Sequence, residues 1–199
     1  MDKDIQEQLN NITDYLKITN KIVGLKLYTG YQHFYPTDTV CEPIYEFAEK
    51  HKLVVVFHNG DVWDDKNYAI LKYAKACHID EVAVKHPNVR FTLSHLGFPD
   101  ILETAMIVNK NPNVYTCISG IVDTNYENNY YGEDLKRAIN YYPNLINKLM
   151  HGTDFCGKNT LLNQIEEYKT FITNNFNEED QKKILYDNAY NWYIKERNN

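Results

Sequence analysis

The sequence has no basic excess. Its 21 Lys and Arg residues stand against 27 Asp and Glu, a net charge of −6, and the cations are scattered rather than clustered. Nucleic-acid binding rests on a basic face, so that class is excluded. No apolar run reaches the roughly 18 residues that a membrane-spanning helix needs. The opening MDKDIQEQLNNITDYLK is polar and helix-patterned. It lacks the apolar core of a secretory signal, so 1–20 read as an N-terminal helix and the chain as cytoplasmic. Cysteine is sparse: Cys41, Cys77, Cys117 and Cys156 form no CxxC pair. Each lies in or beside an apolar segment, which reads as reduced structural thiol. No low-complexity stretch or linker interrupts the chain, so 1–199 read as one domain.

What is present is a rhythm. Hydrophobic residues make up 43% of the chain, enough for a core. Five short apolar runs, rich in β-branched and aromatic residues, read as buried strands: Ile22–Tyr28, Leu53–His58, Val89–His95, Val114–Ser119 and Leu145–His151. The last could instead finish a helix. Helical patterns lie between and after them. One runs through PIYEFAEKH, capped by Asp38 or Thr39 with Pro43 in its first turn. The others are Asn67–Lys85, Pro99–Asn109, Glu133–Tyr142, Thr160–Asn174 and Glu178–Ile194. Alternating strand and helix predict an α/β fold with a parallel sheet. An eight-unit TIM barrel takes about 250 residues, so 199 residues suit a partial barrel.

Three of the runs lead into potential ligands, in FHNGD, SHLG and HGTD. In a parallel sheet the carboxyl ends share one edge, where barrel sites form. His58, His95 and Asp154 would therefore converge. Two imidazoles and a carboxylate suit zinc or another divalent ion such as manganese. Gly60, Gly97 and Gly152 would keep the rim open for a ligand. Lys26, inside the apolar IVGLKLY, either points inward to bind substrate or a metal-site carboxylate, or lies outward with its stem along the sheet. Tyr28, His33 and Asn59 are further candidates for substrate contact. The loops Tyr31–Asp38 and Asp123–Gly132 are placed to shape the pocket. His151 reads as a core or supporting residue, and His51, His78 and His86 as solvent-facing.

The segments GLKLY, VVVFHNGD, FTLSHLG, LMHGTDF and DNAYNWY together resemble the amidohydrolase-related family of metal-dependent hydrolases. Within it they are most similar to the aminocarboxymuconate semialdehyde decarboxylase group. The resemblance runs from about Val23 to about Tyr193. It implies a distorted (β/α)8 TIM barrel, here covering strands four to eight, with the site at the carboxyl rim. It implies that His58 is a metal ligand and that Asp154 both binds metal and handles the proton of the attacking water. His95 would be a second-metal ligand or a substrate-polarising group. Lys26 falls on the strand that carries a carboxylated bridging lysine in some members. The family's first strand ends in His-x-His or Glu-x-His. No His-x-His occurs here, and the single Glu-x-His, Glu49 to His51, lies in a helical segment. Strands one to three are therefore expected to be lacking.

These readings make the chain a metal-dependent hydrolase, acting on a C–N or ester bond of a small polar substrate through a metal-activated water. Two alternatives stand beside it: a non-oxidative decarboxylase on the same scaffold, and a catalytically inactive truncated barrel. Open sheet edges would also invite pairing with a second copy as a homodimer.

Overall fold

Two-residue alternation decides which side chains face which layer. In a computed structural model that describes residues 5–62, 66, 68–121, 130–154 and 162–198, the five apolar runs form strands β1 (Gly24–Leu27), β2 (Val54–Phe57), β3 (Arg90–Leu93), β4 (Val114–Cys117) and β5 (Leu149–Met150). The strands are all parallel and pair in sequence order, with Lys26 opposite Val56 and Val56 opposite Thr92. The outer edges of β1 and β5 have no strand neighbour among the described residues. The sheet is thus an open α/β arc, a partial barrel.

Val55, Phe57, Phe91, Leu93, Val114 and Leu149 point to one face and join the main core. That core lies under helices α1 (Ile5–Ile18), α3 (Glu42–Lys50), α4 (Cys77–Lys85), α5 (Ile101–Lys110), α6 (Tyr130–Tyr141) and α7 (Leu162–Asn175), and a single turn, α2 (Thr29–Gln32), follows β1. The intervening residues Val54, Val56, Tyr115, Cys117 and Met150 point to the inner face. Their amino-terminal end is covered by the C-terminal helical run (178–198), which carries Trp192 and Tyr193. The Trp192 ring stacks on Tyr115 at 3.8 Å. Trp192 Nε1 and the Tyr193 hydroxyl both donate to Thr92 Oγ1, at 3.1 and 3.0 Å. Arg90 donates to the Trp192 carbonyl, and Arg197 donates to the carbonyls of Asn20 and Ile22. One helix therefore ties the approach to β1 to the far end of the sheet.

Three local expectations need correction. The Asn67–Lys85 helix is broken: a short 3-10 turn at Leu71–Ala74 precedes α4, with Lys75 extended. The Ala74 carbonyl that would continue the helix instead accepts from Gly60 N and Asn59 Nδ2, so a tertiary contact outcompetes the helix. Asp38 does not cap α3. Its carboxylate accepts from Tyr35 N at 2.8 Å, three residues back, and a 3-10 turn (Thr39–Cys41) leads into the helix. The fifth strand is only two residues long, because Pro143–Asn147 forms a 3-10 turn whose Leu145 anchors in the core.

Among the described residues Cys41, Cys77 and Cys117 are free thiols, and no helix is long and apolar enough to cross a membrane. Cys156 and the loop expected at Asp123–Gly132, as far as residue 129, lie outside the described residues.

Candidate metal centre

His58 follows β2 directly, and His95 follows β3 by one residue. Two-residue alternation carries His58 to the inner face, with Val54 and Val56, but would put His95 on the outer one, with Phe91 and Leu93. The two histidine rings nevertheless meet at 4.9 Å between centroids, inclined by 63°, with His58 Nδ1 3.3 Å from His95 Nε2. His95 reaches this position through strained backbone. Its φ is 61°, Leu96 follows at 43° and Gly97 at 64°. Left-handed conformations at bulky residues persist where the surroundings enforce them, often at functional sites. Asp154, at φ 55°, shares this feature.

The other nitrogen of each ring is occupied. His58 Nε2 lies 2.8 Å from the Asp61 carbonyl, and His95 Nδ1 lies 2.7 Å from the Ser119 carbonyl. A carbonyl can only accept, so each imidazole must place its proton there. A neutral imidazole has one such proton. Nδ1 of His58 and Nε2 of His95 therefore face each other as two lone pairs with no hydrogen between them. That arrangement calls for an electrophile. Two nitrogens at about 2.0–2.1 Å from a tetrahedral ion lie about 3.3–3.4 Å apart, which matches the observed 3.3 Å. The bonds from the far nitrogens to carbonyls are the outer support usual for metal-bound histidine.

Electrostatics agree with neutral rings. Burial pushes the His58 pKa down to about 4, against a smaller upward pull from the Asp61 bond. Burial also lowers that of His95, opposed by its Ser119 bond and the Asp154 charge. Between about pH 6.5 and 4 the unfolded chain binds a proton at His58 that the folded chain refuses. Folding stability is therefore expected to fall across that window as pH drops, by on the order of 3 kcal/mol from His58 alone. Urea midpoints measured at pH 7, 5.5 and 4.5 should show the loss, and His58→Gln should flatten it.

Asp154 is exposed, and its charge is felt by both imidazoles and by Lys26. A side chain on Gly120 would lie 3.6 Å from its Oδ2 and 3.2 Å from His95 Nδ1. The three expected residues are thus brought to one rim. Among the described residues no group of three His, Cys, Asp or Glu side chains closes on a single point. Two imidazoles fit as ligands, and Asp154 stands beside them.

The other candidates divide. Lys26 points inward, with its ammonium bonded to Ser94 Oγ and 5.2 Å from the Tyr28 ring centroid. The ring of Tyr28 is parallel to that of His58 at 6.0 Å, and Tyr31 meets His58 edge-on at 5.0 Å. His33 is not with them. It is bonded to the Tyr68 carbonyl and stacked on Tyr73. Asn59 is fully buried and clamps the rim through Ala74. His151 packs against Tyr168 in the outer layer, as a core role requires. His86 is not solvent-facing: it packs on Tyr45 and stands 3.3 Å from Glu42. Sequence reading missed Ser94 and Ser119. Both stand at strand ends, as the histidines do, and that position was the available signal. The contribution of Asp61 is a backbone carbonyl, which no residue type announces.

The glycines correct a further expectation. They do not hold the rim open but let its loops touch. A side chain on Gly60, at φ +89°, would meet the Phe98 carbonyl oxygen at 2.2 Å, and one on Gly152 would meet Ser119 Cβ at 3.0 Å. Gly60→Ala is therefore expected to destabilise the fold by more than about 2 kcal/mol, read as a lowered urea midpoint.

The sequence profile of the family described as amidohydrolase matches residues 11–194. A search of curated proteins returns no match. Among solved structures, a TIM-barrel protein of uncharacterised function from Bordetella bronchiseptica superposes with a TM-score of 0.75 at 20% identity, covering 98% of this chain and 64% of that one. For 5-carboxyvanillate decarboxylase from Sphingomonas paucimobilis the TM-score is 0.63 at 13% identity, with 94% and 62% covered. An amidohydrolase from Burkholderia multivorans with bound zinc gives 0.62 at 12%, with 92% and 69% covered. This chain spans under two thirds of the length of the first two. The shared fold is the TIM barrel, of which the five-stranded arc is a part.

Proposed function

The chain belongs to the amidohydrolase family, and from that premise we propose that it is a metal-dependent hydrolase of small polar substrates. The carrying observation is the pair of imidazole lone pairs converging at 3.3 Å while both ring protons are held by carbonyls. Zinc is the ion favoured, by the nitrogen ligands and by its presence in the Burkholderia multivorans relative; manganese is the second choice. When bound, a divalent ion supplies Lewis acidity that polarises a carbonyl and makes water more acidic. His58 and His95 would hold it, with Asp154 beside them.

The chain's own residues do the rest. The carboxylate of Asp154 accepts a proton from the attacking water as general base. The single N–H of His95 stays on the Ser119 carbonyl, so His95 contributes a lone pair rather than a hydrogen bond to a developing oxyanion. Tyr28 and Tyr31 wall the approach to His58.

Non-oxidative decarboxylation is the second reading, supported by the decarboxylase among the structural relatives. It uses the same ligands with Asp154 delivering a proton to carbon. One experiment separates these. Dialyse the protein against zinc or manganese, measure bound metal, then assay ester and amide cleavage alongside carbon dioxide release from aromatic acids. Metal uptake with hydrolysis supports the proposal, and carbon dioxide release alone replaces it with the second reading. No metal above background would sink both for this chain and leave an inactive partial barrel.

A further inference from the structure

The inner face carries two cations on its strands. Arg90 lies at the amino-terminal end, with its guanidinium on the carbonyls of Lys52 and Trp192. Lys26 lies toward the carboxyl end, and nothing in the proposed chemistry uses it. Its ammonium has three hydrogens to donate. Among the described residues one bond is made, to Ser94 Oγ, and the Tyr28 ring lies 5.2 Å away. No carboxylate among the described residues comes within ion-pair distance of it, and the field of Asp154 reaches it from beyond contact. Lys26 is exposed on the inner face, so its ammonium is open to a ligand, and the desolvation that lowers its pKa is opposed by smaller upward pulls from Cys117 and Asp154.

The position of Lys26 is favourable for a ligand. Lys26 pairs with Val56, and His58 is two residues further along that strand on the same face. Lys26 is thus one strand across and two residues back, about 4.8 Å and 6.6 Å in sheet geometry. A molecule of a few carbon atoms bridges that gap. The rings around the route, Tyr28 and the neutral imidazoles, carry no positive charge to compete for an anion.

We propose that Lys26, backed by Ser94, receives a carboxylate of the substrate, so that the site takes small acids whose anionic group is set apart from the bond under attack. This rests on the hydrolase reading only for what happens at the imidazole pair. The anion subsite itself needs no metal, which makes the two separable.

The test uses benzoate and benzamide, which match in shape and differ in charge, titrated calorimetrically into metal-free protein. Benzoate is expected to bind about tenfold or more tighter than benzamide, the size of a charge-assisted hydrogen bond. Lys26→Met should erase that preference, with circular dichroism confirming the fold, and Lys26→Arg should restore part of it. Equal binding of the two probes to the parent protein, or no binding of either, overturns the proposal without reliance on any variant. A preference for benzoate that persists in Lys26→Met overturns it as well. Zinc uptake is measured in parallel. If zinc does not bind but the benzoate preference stands, the subsite survives and the metal reading fails. If the preference arises only with zinc and is indifferent to Lys26, the reverse holds.

Discussion

His58→Ala is expected to weaken zinc binding more than about a hundredfold, measured by competition with a chromophoric chelator. Loss of an outer partner typically lowers metal affinity 10–100-fold, and this change removes one of the two nitrogens that converge at 3.3 Å. It also leaves His95 Nε2 facing a void rather than a second lone pair. His95→Ala should act comparably. Ser119→Ala should act far less, because the bond that holds His95 at 2.7 Å comes from the Ser119 backbone carbonyl, with the hydroxyl at 3.2 Å a lesser contact. Equal effects from all three would mean that the imidazoles are not ligands and that the rim is merely sensitive to packing. The prediction tests the tautomer argument specifically, since it depends on which nitrogen is free.

Trp192→Ala is expected to lower stability by about 3–5 kcal/mol, the range for truncating a buried large aromatic. Trp192 is 6% exposed and stacks at 3.8 Å on Tyr115. It is the main side chain closing the inner face beneath the site. Trp192→Phe keeps an aromatic ring there and loses the 3.1 Å bond to Thr92, so about 1 kcal/mol is expected. Urea unfolding measures both. Among the described residues the outer edges of β1 and β5 have no strand neighbour, and this helix supplies much of the cover of the inner face. A loss near zero for Trp192→Ala would show that the C-terminal helix does not hold the inner face.

The large features of the fold are legible in the sequence because they follow from local periodicity. Phe91 and Leu93 must share a face, and Thr92 the other, whatever the surroundings. The places that could not be read share one cause: a backbone group claimed by a distant partner. The Ala74 carbonyl is taken by Gly60 and Asn59, and the helix around it breaks. Glycines that suggest an open rim instead allow close backbone approach, since what matters is the atom opposite, 2.2 Å from a would-be Cβ at Gly60.

The same division runs through the site. By itself the sequence determined the α/β class and the strand-end positions of His58, His95 and Asp154, because a parallel sheet sends every carboxyl end to one edge. It also carried the family, over residues 11–194. Only the tertiary structure decided which nitrogen of each histidine is free, since that is set by the carbonyls of Asp61 and Ser119. It also turned Lys26 inward and His33 away. Residue type states what a side chain can bind, but its partners, brought from other strands by folding, decide what it has left to offer.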